Sequence, residues 1–150
     1  MNKSYRLTIL LLFLFISSQV FPQSLKNPQS FTYQVVPTYF NYGGGLVGFQ
    51  IGANFNEVLN VSYFHTRDYD FGERFMDDRF AGIQSSVMIP IGENFQIGPS
   101  VRVATYNKEW QNFFVAAEAR VNLNDSLKIG FEYGNGEKKD YGLKFIWNLY

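Results

Sequence analysis

The last ten residues, Tyr141–Tyr150, alternate between large apolar side chains and mostly small or polar ones. The apolar members are Tyr141, Leu143, Phe145, Trp147 and Leu149. Side chains two residues apart in a strand point to the same face of a sheet. The pattern therefore predicts a β-strand with one apolar face and one mostly polar face.

The same alternation occurs in seven earlier segments, so eight strands are predicted. These are Phe31–Asn41, Leu46–Phe55, Val58–Arg67, Arg79–Ile91, Phe95–Tyr106, Trp110–Leu123 and Leu127–Tyr133. Most are close to the roughly 9–11 residues that a tilted membrane strand needs. The predicted connections Asn56–Glu57, Gly92–Asn94 and Asn124–Ser126 are short, whereas Asp68–Asp78 and Gly134–Asp140 are longer and charged. Short turns at one end and longer loops at the other are typical of membrane barrels.

Composition also favours a surface that does not all face water. Charged residues make up 17% of the chain and aromatic residues 19%, whereas a soluble domain has roughly 25% charged residues. No apolar run reaches the roughly 20 residues of a membrane helix. We therefore predict an all-β fold, an eight-stranded antiparallel up-and-down transmembrane β-barrel.

The N-terminal segment is typical of an export signal. Lys3 and Arg6 precede the apolar stretch Leu7–Ile16, which is the order of a secretory signal peptide. We predict a signal at residues 1–24 with cleavage between residues 18 and 24, a polar lead-in at 25–30 and the barrel at 31–150. The signal predicts export, with the barrel in a bacterial outer membrane.

The polar face of the predicted strands is rich in glycine. Its glycines are Gly48, Gly52, Gly82, Gly98, Gly130 and Gly142. The interior of an eight-stranded barrel is just wide enough for its own side chains, so we expect these glycines to make room for inward charges. The aromatic residues expected at the two membrane interfaces are Tyr33, Tyr39, Tyr63, Tyr69, Tyr133, Tyr141 and Trp147.

Inward charges need partners, because a buried charge without one is costly. We predict a structural ion-pair network inside the barrel, formed by Arg102, Glu118, Arg120, Lys128, Glu132 and Lys144. Such a filled lumen predicts a barrel that does not conduct ions.

With its alternating closing strand YGLKFIWNLY and aromatic terminus, the chain resembles the small outer-membrane barrels of the OmpA/OmpX type over Phe31–Tyr150. The resemblance implies a structural or adhesive protein, surrounded by outer-membrane lipid and lipopolysaccharide and inserted by the barrel-insertion machinery. We expect a monomer. In that family the terminal aromatic lies on the apolar face, whereas here Leu149 ends the apolar register and Tyr150 has the other parity.

Two prolines fall inside predicted strands. Pro37 and Pro99 each remove one backbone donor from the ladder, so bulges or shortened strands are expected there.

Some outer-membrane barrels modify lipid A, so a deacylase or acyltransferase is an alternative. The single histidine is His65, and the position two residues later, where such a deacylase would place a serine, holds Arg67. Ser62 has the opposite parity and points to the other side of the sheet. We therefore assign no catalytic residue, and expect His65 and Arg67 to contact lipid at the outer interface, where Arg suits a phosphate.

A soluble periplasmic barrel with an apolar ligand is the second alternative. It would place the apolar face inside and the charged face in water, so the direction of the two faces separates it from a membrane barrel.

The predicted charged loop offers no ligand set of known spacing. It contains Asp68, Asp70, Glu73, Arg74, Asp77 and Asp78. The spacing does not match a calcium-binding EF-hand loop, and exposed charges of both signs usually pair weakly with each other. We predict no metal and no cofactor, and the formal net charge of 0 gives no reason to expect nucleic acid as a partner.

Overall fold

The computed structural model describes residues 31–42, 44–68, 79–110, 114–135 and 139–149. Its strands are β1 (Phe31–Asn41), β2 (Gly45–Phe55), β3 (Leu59–Asp68), β4 (Arg79–Val87), β5 (Ile89–Ile91), β6 (Phe95–Tyr106), β7 (Glu109–Trp110), β8 (Phe114–Asn122), β9 (Leu127–Asn135) and β10 (Lys139–Leu149). Within these ranges no helix is long and apolar enough to cross a bilayer. The predicted signal peptide, the lead-in and Tyr150 lie outside the described residues.

The strands form one closed antiparallel sheet. The pairing runs from β4 through β3, β2, β1, β10, β9 and β8 to β6, and β6 pairs back with β4. β6 pairs with β4 and β5 on one side and with β7 and β8 on the other. β5 therefore continues β4, and β7 leads into β8, so each of these two pairs counts as one strand of the barrel. The barrel has eight strands by this count, and the predicted fold class is confirmed.

The two ends of the barrel differ. The turn end carries the connections 56–58, 92–94 and 123–126 together with the first residue of β1 and the last of β10. The loop end carries the connections 42–44, 69–78, 107–108 and 136–138. Positive φ angles at Asn56 and Glu57, and again at Asn107 and Lys108, are those of tight hairpin turns.

Three predicted segments differ from the structure. Arg79–Ile91 is divided at Met88 into β4 and β5. β9 continues to Asn135 and β10 begins at Lys139, so the connection expected at Gly134–Asp140 shrinks to residues 136–138. The segment Trp110–Leu123 is not one uninterrupted strand. Thr105 pairs with Trp110 but Arg102 pairs with Phe114, so the register shifts by one residue between β7 and β8.

Both prolines are accommodated without a change of register. Val35 pairs with Trp147 and Thr38 with Lys144, three residues further along each strand, and only the pairs between them are missing from the β1–β10 ladder. Pro37 still pairs with Phe49 on its other side. Pro99 in β6 keeps its pairing with Ala117 and lies at the break between β4 and β5. Each proline thus leaves a local gap in one ladder with the register unchanged. At Pro99 the gap ends β4, which is the shortened strand that was one of the two expectations.

The two faces point as predicted. Phe131 and Phe145 are 52% and 43% exposed on the outer face, whereas Arg102, Arg120 and Lys144 are 1%, 4% and 1% exposed in the lumen. Charge is therefore buried inside the barrel and apolar side chains cover its outside, the reverse of a soluble ligand-binding barrel.

The outward aromatics lie mainly near the two ends. Tyr33 and Trp147 lie at the turn end, while Tyr39, Tyr133 and Tyr141 lie at the loop end. Tyr63 was placed wrongly in this group. It pairs with Ile51 and Ile83 near the middle of the outer band. Tyr69 lies outside the described residues.

Most of the inward glycines serve a different purpose from the one expected. A Cβ atom at Gly82 would lie 2.2 Å from the Val103 carbonyl oxygen, and one at Gly48 would lie 2.0 Å from that of His65. Neighbouring strands approach each other so closely at Gly48 and Gly82 that only a hydrogen atom fits in place of a side chain. Gly130 differs from these two glycines and makes room for an inward charge, because its Cβ would lie 3.4 Å from the Lys144 side chain.

This difference predicts unequal effects of alanine. Gly82→Ala forces the β4 and β6 backbones apart and should lower the free energy of unfolding by about 1–3 kcal/mol. Gly130→Ala is the matched control and should change it much less, because its Cβ meets ordinary contacts. Urea unfolding of the barrel in lipid vesicles measures both values. Equal losses at the two glycines would contradict the close approach.

Candidate functional site in the barrel lumen

Aromatic side chains fill the lumen near the loop end. We call this cluster the aromatic plug; its rings are Phe40, Tyr42, Phe64, Phe80 and Phe114. The rings pack in stacked and edge-to-face geometry, with Tyr42 and Phe80 centroids 4.8 Å apart and Phe64 and Phe80 centroids 5.0 Å apart. Such pairs are favourable beyond the area they bury. These rings therefore form one buried cluster inside the barrel near its loop end.

One guanidinium joins the plug to the charged centre of the barrel. Arg102 lies 3.9 Å from the Phe40 ring centroid and 4.7 Å from that of Phe114, within the range of cation–π attraction. Its Nη1 donates to Asp140 at 2.5 Å and its Nη2 donates to Glu132. Arg102 is therefore held by rings on one side and by two carboxylates on the other.

The charged centre continues from Glu132 toward the turn end. Lys144 Nζ donates to Glu132 and, at 2.9 Å, to Glu118. Arg120 Nε donates to Glu118 at 2.7 Å. Gln84 also donates to Glu132, at 2.7 Å. We call Arg102, Glu118, Arg120, Glu132, Asp140 and Lys144 the lumen network; its three cations and three carboxylates balance.

Two residues differ from the set named from the sequence. Asp140 was placed in a connecting loop, yet it lies in β10, 1% exposed, as a partner of Arg102. Lys128 is buried at the turn end but forms no ion pair with another described residue. The sequence did contain a sign that Asp140 points into the lumen. It lies two residues before Gly142 and four before Lys144, which were both assigned to the inward face.

Amides and hydroxyls line the lumen between the network and the turn end. Gln34 Nε2 donates to Asn148, Asn54 Nδ2 donates to Asn60, and Ser62 donates to Gln50, at 2.8, 2.8 and 3.0 Å. A cavity of about 10 Å³ lies among these groups, close to the size of one water molecule. Amide and hydroxyl groups of Gln34, Gln50, Asn60 and Ser62 therefore border a space of this size in the lumen.

Ser62, which was considered as a nucleophile and rejected, lies on the opposite face of the sheet from His65 and Arg67. His65 is on the outer face, where Arg67 Nε donates to its Nε2 at 3.4 Å, whereas Ser62 donates into the lumen. The structure does not bring Ser62 and His65 together. Asp68 ends β3, and Asp70, Glu73, Arg74, Asp77 and Asp78 lie outside the described residues. Across the part of the chain that is described, no group of acidic and histidine side chains is arranged to hold a metal.

No family model and no curated protein matches this sequence. Solved barrels do match its fold. A de novo designed transmembrane β-barrel has a TM-score of 0.58 at 13% identity, with 82% of this chain and 98% of that chain covered.

Two natural barrels match in the same way. The N-terminal β-barrel domain of Pseudomonas aeruginosa OprF has a TM-score of 0.60 at 12% identity, covering 79% of this chain and 97% of that one. The Yersinia pestis outer membrane protein Ail, solved in a phospholipid bilayer nanodisc, has a TM-score of 0.50 at 13% identity, covering 80% and 100%. At these identities the likeness concerns the fold.

The lumen network predicts a large loss of stability when one carboxylate is neutralised. Glu132→Gln leaves Arg102 and Lys144 each short of a partner inside the barrel, and breaking such a buried pair costs about 3–5 kcal/mol. Glu93→Gln, at an exposed carboxylate of the turn end, is the control and should leave stability almost unchanged. Urea titration in vesicles measures both, and equal stability of the two variants would rule out the network as a stabilising element.

Proposed function

We propose that this chain, which has the fold of the OmpA/OmpX-type outer-membrane barrels, is a small outer-membrane protein of a bacterial envelope. Its lumen does not conduct, and its role is structural or adhesive, or serves envelope maintenance. The observation that carries the proposal is the polarity of the barrel, with apolar side chains outside and the lumen network inside.

The outer face supports a location in lipid. Val47, Phe49, Ile51, Ile83 and Phe131 are among the large apolar side chains that stand exposed around the wall. A soluble monomer rarely exposes more than a few hundred Å² of continuous apolar surface. In a bilayer the same surface is favourable, and a closed barrel leaves no unpaired strand edge in the hydrocarbon.

The lumen supports a barrel without conductance. The aromatic plug fills the half near the loop end, and the lumen network follows it directly through Arg102. Ions passing through would have to displace rings and break balanced ion pairs, both of which are costly in a site of low dielectric.

The remaining partners follow from that location. Outer-membrane lipid and lipopolysaccharide surround the wall, and the barrel-insertion machinery places the chain there. We expect a monomer, and closure of β1 on β10 leaves no free strand edge for pairing with a second copy. Residues 69–78 join β3 to β4 at the loop end, which the proposal places outside the cell.

The alternative of a lipid A-modifying enzyme has less support. A nucleophile needs a base within hydrogen-bond reach, and the wall separates Ser62 from His65. His65→Ala should therefore leave the mass spectrum of lipid A unchanged. An altered lipid A profile would favour the enzyme.

Location and orientation can be tested together because the chain has no cysteine. We expect Lys108→Cys, at the loop end, to react with a membrane-impermeant maleimide on intact cells. Ser126→Cys, at the turn end, should react only after the outer membrane is opened. A protein that fractionates with the soluble periplasm, or that labels equally at both positions, would contradict the proposal.

Conductance tests the filled lumen. We expect the native barrel to give no steady current in a planar bilayer. Phe40→Ala combined with Phe64→Ala and Phe114→Ala removes much of the aromatic plug and should allow measurable currents, provided that heat-modifiable gel mobility shows a folded barrel. Phe49→Ala, which removes an outward ring, is the control and should stay silent. Steady current through the native barrel would refute the non-conducting lumen.

A further inference from the structure

Two arginines face each other on the outer surface near the loop end. Arg67 on β3 pairs directly with Arg79 on β4, and both share the outward parity of Tyr63 and Ile83. Like charges directly opposite in an antiparallel pair destabilise a sheet. Among the described residues, no carboxylate forms an ion pair with either guanidinium. An anion between them would remove the repulsion.

An apolar groove lies beside Arg67, on the side of β3 that pairs with β2. Arg67 and His65 line it on β3, and Val47 and Phe49 line it on β2, around a volume of about 220 Å³. Val47 pairs with Arg67 and Phe49 with His65, so the apolar side chains extend from the arginines toward the middle of the barrel. The surface is therefore cationic near the loop end and apolar toward the middle of the barrel.

We propose that Arg67 and Arg79 bind the phosphate of a lipid in the surrounding leaflet, with its hydrocarbon along Val47 and Phe49. The inference rests on the proposed membrane location. Guanidinium groups match phosphate oxygens in bidentate geometry, and both arginines lie where the apolar outer face gives way to the loop end. His65, whose Nε2 accepts a hydrogen bond from Arg67 Nε at 3.4 Å, borders the site on the side toward the middle of the barrel.

The acidic connection between the two strands is the main competitor for this charge. Residues 69–78 join β3 to β4 and contain Asp70, Glu73, Asp77 and Asp78. Carboxylates of the protein would balance the arginines whatever lipid is present. Dependence on lipid chemistry therefore separates the two possibilities.

The test is lipid retention by the folded barrel in detergent micelles, measured by native mass spectrometry with phosphatidylglycerol or phosphatidylcholine added. The native barrel should retain phosphatidylglycerol preferentially. Arg67→Gln with Arg79→Gln should weaken that retention by about thirtyfold, since each of the two cations near an anionic lipid surface contributes on the order of 1 kcal/mol. Lys108→Gln, an exposed cation at the same end, should leave it unchanged. Arg67→Lys with Arg79→Lys should keep part of it.

Three results would overturn the proposal. Equal retention by the native barrel and the double glutamine variant would assign the arginines to the acidic connection. Displacement of the lipid by inorganic phosphate at equal concentration would show a site for a free anion. Equal retention of both lipids would show that the groove and not the charge binds. Failure of the native barrel to insert into vesicles would instead refute the proposed location. Heat-modifiable mobility in zwitterionic micelles confirms that each variant is folded.

Discussion

Closure of the sheet is the constraint on which the rest of the structure depends. In hydrocarbon every backbone donor and acceptor needs a partner within the protein, and a barrel meets that demand only if its first and last strands pair. β1 and β10 do so across the whole wall, apart from the short gap beside Pro37. The gap leaves the register intact, so the faces of both strands remain aligned.

A barrel of only eight strands has a narrow interior, and this limits which side chains the lumen can hold. At Gly48 and Gly82, backbone carbonyls of the neighbouring strand occupy the space that a Cβ would need. The remaining space takes the aromatic plug, the lumen network and, toward the turn end, amide and hydroxyl side chains. Arg102 joins the two kinds, because its flat guanidinium stacks on Phe40 while its nitrogens bind carboxylates.

Alternation predicted the fold well because a period of two repeats in every wall. It predicted the inward charges for the same reason, since parity alone separates Glu118 from its neighbours. It did not predict the aromatic plug because the inward face was expected to hold glycines and charges, although Phe40 and Phe64 have the parity of that face. Asp140 was missed because Gly134–Asp140 looked like a loop. Which charges meet across the lumen depends on the register between neighbouring strands. The sequence of a single segment does not determine that register.

The central claim is that the apolar face contacts lipid. It is tested most directly by fluorescence of single tryptophans in vesicles of brominated lipid, with Trp110 and Trp147 replaced by phenylalanine. We predict that Phe145→Trp is strongly quenched and that Phe64→Trp, inside the aromatic plug, is not. Strong quenching at position 64 with none at position 145 would contradict the account.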